Sequence, residues 1–71
     1  MRRRHMLALA SLLAKIEDPS ARDEAVTDVI IRHRADGKRF GADGFRALVD
    51  SARAAIVADR VTSMARASRA A

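Results

Sequence analysis

Pro19 is the only proline in the chain, and it separates two stretches whose apolar residues recur every three or four positions. Proline lacks a backbone N–H and clashes with the preceding turn, so no regular helix runs through position 19. It does suit the first position of a helix, where that N–H would have no partner in any case. The chain must therefore fold as one helix that stops before Pro19 and another that begins there. Asp18 serves both, ending the first helix and offering a side-chain oxygen to cap the second.

On this frame the spacing predicts helix one over about 5–17, with Met6, Leu9, Leu12, Leu13 and Ile16 on one face. Helix two, about 19–35, carries Ala25, Val26, Val29 and Ile30 as its stripe, with Arg22 and His33 at the ends. Gly37 supplies a stop, and the segment from Asp36 to Asp43, containing Lys38, Arg39 and Phe40, reads as the longest loop. Asp43 is expected to cap helix three, about 44–66, whose stripe runs through Phe45, Leu48, Val49, Ala52, Ala55 and Ile56 to Asp59. There the stripe fails. An offset row of Val57, Val61 and Met64 takes over, so the last turns should face a different neighbour, either helix one or another chain. The basic ends, 1–4 and 67–71, are expected to fray. No stretch alternates apolar and polar residues as a strand would. The fold class is all-α: a small three-helix bundle or an antiparallel helical hairpin with an N-terminal helix, in one domain.

A chain of 71 residues is short for a self-sufficient core. Without cysteine it can form neither a disulfide nor a thiolate zinc site, which leaves self-association as a source of stability and fits a reducing, cytoplasmic setting. Arg2, Arg3 and Arg4 before the apolar run Met6–Ala14 resemble the start of a secretory signal. The large residues of that run recur on one helical face and continue past Lys15, which favours a retained amphipathic helix. No run reaches the ~18 apolar residues of a membrane span.

The net charge of +5 is concentrated at the ends: neither residues 1–15 nor residues 60–71 contain an acid. Two basic ends on a near-neutral body suit nucleic acid, an anionic surface or an acidic protein. The abundance of alanine, and of arginine over lysine, is what a GC-rich bacterial or phage genome would encode, which weakens any functional reading of single arginines. Arg32, Arg34, Lys38 and Arg39 nevertheless gather at one end of the helical hairpin, and Arg46, Arg53 and Arg60 recur every seven residues. Seven residues is about 10 Å along a helix, so the second set forms a row that could meet phosphates. Asp43 and Asp50, interleaved with it, suggest instead a solvated face that neutralises itself.

Catalysis has little to rest on. His5 and His33 lie in different helices, no carboxylate stands at a spacing that suggests a nucleophile or a ligand set, and Gly37–Gly41 lacks the spacing of a phosphate loop. No metal, cofactor or small-molecule substrate is expected. The stretch from Ser51-Ala52 through Val57-Ala58-Asp59 to Met64 resembles the long helix of the Hha family of small bacterial nucleoid modulators. The preceding loop is longer than in that family and its aromatic residues are missing, so the chain is not assigned to it.

These features make the chain a small non-enzymatic interaction protein for a larger protein partner or a second copy, with Val57, Val61 and Met64 as the contact row. The alternative is a basic DNA-associated regulator that contacts phosphates through the arginines named above. A last expectation concerns Asp59, the one acid on the stripe of helix three. An antiparallel alignment of helices two and three that sets His33 opposite Phe45 brings Arg22 opposite about Ile56, and predicts a structural Arg22–Asp59 ion pair.

Overall fold

The computed structural model describes residues 3–35 and 41–70. Three helices account for nearly all of them: α1 is Arg3–Ala14, α2 is Pro19–Ala35 and α3 is Ala42–Ala70. Among the described residues there is no strand, and no helix is long and apolar enough to cross a membrane. The expected stop at Gly37, most of the expected loop, and Lys38, Arg39 and Phe40 lie outside the described residues.

The corner between α1 and α2 forms as Asp18 and Pro19 dictate. Asp18 Oδ2 accepts the Ala21 N–H at 2.9 Å, and its carbonyl accepts the Arg22 N–H, also at 2.9 Å. The end of α1 comes earlier than the apolar pattern predicts. Lys15 and Ile16 donate to the Leu12 and Leu13 carbonyls at 3.2 and 3.1 Å, tightening the last turn to three-residue spacing and leaving Glu17 outside the helix.

Two further boundaries differ from expectation. Asp43 lies inside the first turn of α3 and is not its cap, because the Phe45 N–H donates to the Gly41 carbonyl at 2.9 Å and makes Gly41 the capping position. The carboxylate of Asp43 still sits at the positive end of the helix dipole. At the other end, the segment expected to fray is helical through Ala70.

The core joins Ala10 of α1, Val26 and Ile30 of α2, and Phe45 and Val49 of α3, with Met6, Leu9, Leu13, Val29, Ala42 and Leu48 closing it. Phe45 and Ala14 are fully buried. Because Ala10 and Ala14 are small, α1 can lie closely on α3. Leu12 stands two residues from each of these alanines, about 200° around the helix. It therefore points outward and is 61% exposed, against the expectation that it would join the inner face.

Ala14 and Glu17 meet α3 at Arg53 and Arg60. Every described residue of α3 after Ile56 is exposed, so the earlier residues of α1 can pack only against the N-terminal half of α3. The two helices thus run in the same direction and make the closest helix pair of the fold, with α2 returning alongside them.

Candidate interaction surface

Two sets of residues on α3 bear on function, the arginine row and the apolar row, and they face different surroundings. Arg46, Arg53 and Arg60 are turned toward the rest of the chain. Arg46 donates to Asp23 at 2.9 Å and to Thr27 at 3.1 Å, joining α3 to the first half of α2. Arg53 donates to the Ala14 carbonyl at 3.0 Å and to Glu17 at 3.1 Å. Arg60 reaches both carboxylate oxygens of Glu17, through Nη1 at 3.2 Å and through Nη2.

The seven-residue spacing does place these arginines on one side of α3, as the sequence indicates. That side is a seam between helices, and the acids holding it are Asp23 and Glu17, not the interleaved Asp43 and Asp50. As a row offered to phosphates, the three arginines are already engaged. Of the other basic candidates, Arg32 pairs with Asp28 one turn back at 3.0 Å, Arg34 is exposed, and Lys38 and Arg39 lie outside the described residues.

The electrostatics of the seam centre on Glu17. Hydrogen bonds from Arg60 and then Arg53, with their charges, lower its pKa to about 2, and the same contact raises that of Arg60. Glu17 remains exposed to water, so this is a surface clamp and not a buried ion pair.

Among the described residues Arg22 and Asp59 form no ion pair. Arg22 Nη1 instead donates to the Ile16 carbonyl at 2.7 Å and, at 3.5 Å, to that of Glu17. Carbonyls at the end of a helix lack internal partners and carry partial negative charge, so a guanidinium there is favourable. With Arg53 on the Ala14 carbonyl, two arginines close the C-terminal end of α1. The alignment behind the expected pair also fails: Arg46 meets α2 at Asp23 and Thr27, which does not fit the register that set Arg22 opposite Ile56. Asp59 lies beyond the end of the buried stripe, is exposed, and needs no partner.

The expected contact row is open to solvent. Val57 is 45% exposed, Val61 61% and Met64 72%. At about 100° per residue, these three share an arc of roughly 120° with Ala54, Ala58, Ala65 and Ser68. All seven are exposed and the arc carries no charge. Arg60 borders it beside Met64, and Arg69 borders it beside Ala58. Among the described residues neither Arg66 nor Arg69 takes part in an ion pair. The row could have faced helix one, but α1 lies against the opposite half of α3.

Two other features carry less. His33 Nδ1 donates to the Val29 carbonyl at 2.8 Å within its own helix, a structural role. A half-open cleft of about 210 Å³ between α2 and α3 is lined by Arg22 and Arg46 but also by Asp23 and Asp50, so its charges balance. Sequence reading missed Glu17 and Asp23 as the acids of the seam. The arginine period was the available signal, since a row at seven-residue spacing on a packed helix must face a neighbour or solvent along its whole length. No known protein family, curated protein or solved structure matches the chain.

Proposed function

We propose that this chain is a small non-enzymatic interaction protein that binds and modulates a larger protein partner through the C-terminal half of α3. The observation that carries this reading is the exposed, uncharged face holding Val57, Val61 and Met64. Single exposed apolar residues are ordinary on any protein. Three at positions i, i+4 and i+7, joined by alanines and without an intervening charge, have the spacing of a helix that docks into an apolar groove. That half of α3 also lacks the tertiary packing from which helices in proteins draw most of their stability, so a partner would supply what the rest of the chain does not.

The test is affinity capture from the source cells with the wild-type chain and a Val61→Arg variant, each with and without nuclease. A partner retained by the wild type, lost by the variant and indifferent to nuclease supports the reading; retention by both forms overturns it. Nuclease-sensitive capture would favour the DNA-associated reading, for which Arg34, Arg66 and Arg69 are exposed.

A further inference from the structure

We propose that the C-terminal half of α3 inserts into an apolar groove rimmed by aspartate and glutamate on another protein, and not against a second copy of this chain. This rests on the docking reading above and names the chemistry of the occupant. The first argument is charge. From Arg60 onward the chain has three arginines and no acid. Arg60 borders the uncharged arc on one side but is held by Glu17, and Arg69 borders it on the other without an ion pair among the described residues. Arg66 lies farther round, about 80° past the edge of the arc, where only a groove that wraps the helix would reach it, and it too has no ion pair among the described residues. A surface that buries the arc must bring its own rim close to Arg69, and a groove that wraps the helix also reaches Arg66, so an acidic rim complements both.

A second copy fits poorly for the same reason. In either orientation the arc of a second copy carries no acid to meet Arg69. The length of the arc argues the same way. Ala54 to Ser68 is about 21 Å of helix, roughly two heptads, where self-pairing coiled coils usually sustain three or four. A flat strip of that size supplies only part of the about 800 Å² per partner found in stable interfaces. A groove can gather more, because residues 57–69 are exposed on every side of α3 and not only along the arc.

The experiment is a selection of displayed helical hairpins whose groove is apolar and whose rim positions are free to be Glu or Lys, with the full-length chain as bait. The recovered clones should be rich in Glu at the rim. They should bind Val61→Ser at least about 10-fold more weakly, bind the Arg66→Glu/Arg69→Glu double variant about 10-fold more weakly, and lose affinity as salt rises, since rim charges are screened. Sedimentation of the bait alone should show a monomer. Equal recovery of Glu and Lys, or a double variant that binds as well as the wild type, overturns the acidic partner but leaves the docking face standing if Val61→Ser still abolishes binding. A dimer that Val61→Ser dissociates makes the occupant a second copy and overturns this inference alone. A monomer whose recovered clones ignore Val61 overturns both. Circular dichroism and melting of each variant, expected to match the wild type because all three positions are exposed, separate loss of binding from loss of fold.

Discussion

Between Ala42 and Ile56, α3 buries Phe45 and Val49 and sends Arg46 and Arg53 to the other two helices; between Val57 and Arg69 every residue is exposed. Both halves are rich in alanine, arginine and medium-sized apolar residues. What separates them is what lies alongside. α1 has 12 residues and α2 has 17, so they span about 18 and about 26 Å, whereas the 29 residues of α3 span about 44 Å. The first two helices are too short to cover the third. An amphipathic pattern is thus a statement about available neighbours as much as about the helix that bears it: the stripe of the first half found a core, and the offset row of the second half was left outside.

The largest test of this contrast is Phe45→Ala. Removing a fully buried ring usually costs about 3 to 5 kcal/mol, against a total stability of about 4 to 10 kcal/mol for a chain of this size. Chemical denaturation should show the folding free energy cut by roughly a third or more, down to an unfolded chain if the wild type lies at the low end of that range, and a variant that melts like the wild type would deny that the first half of α3 anchors the core. Arg53→Ala should cost about 1 to 3 kcal/mol, because a guanidinium hydrogen bond to the carbonyl of the fully buried Ala14 is lost. Arg53→Lys should recover only part of it, since an ammonium cannot reach the carbonyl and the carboxylate with the same fork.

Glu17→Gln has a smaller effect that depends on pH. The folded chain holds this carboxyl near pKa 2, below its ordinary value of 4.5, so its contribution is present above about pH 4.5 and is lost as pH falls toward 2. Wild type and variant should differ in melting temperature at pH 7 and converge near pH 2. A constant difference across that range would mean that the clamp on Arg53 and Arg60 is not what distinguishes them. The smallest effect belongs to Val61→Arg, which should change stability by no more than about 0.5 kcal/mol, as an exposed substitution does. Hydrogen exchange should sharpen the same division, with the amides of 57–70 exchanging well before those of 45–53.

The parts of the fold that local chemistry controls were legible in the sequence. Asp18 and Pro19 specify the corner with no reference to the rest of the chain, and the burial of Val26, Ile30, Phe45 and Val49 follows from their spacing. The seam was not legible, because Arg53 and Glu17 are 36 residues apart and nothing local says that they meet. Arg22 was assigned to the wrong carboxylate for a related reason: the hairpin alignment assumed that α2 and α3 face one another along their whole lengths. Glu17 looked like the last residue of a helix until the tightened turn released it. The row at Val57, Val61 and Met64 was legible as an anomaly, since it departs from the stripe before it.

The small side chains at Ala10 and Ala14 have a consequence for how this sequence can vary. Ala14 is fully buried by its methyl group while its carbonyl receives Arg53, so a bulkier residue there would wedge α1 away from α3 and take that oxygen out of reach. Saturation mutagenesis should find these two sites among the least forgiving in the molecule, accepting little beyond alanine, glycine and serine. By the same measure positions past Ile56 should accept nearly any helix-forming residue when folding alone is scored. Substitutions at Val57, Val61 and Met64 that pass such a screen but fail in the cell would outline the footprint of the proposed partner.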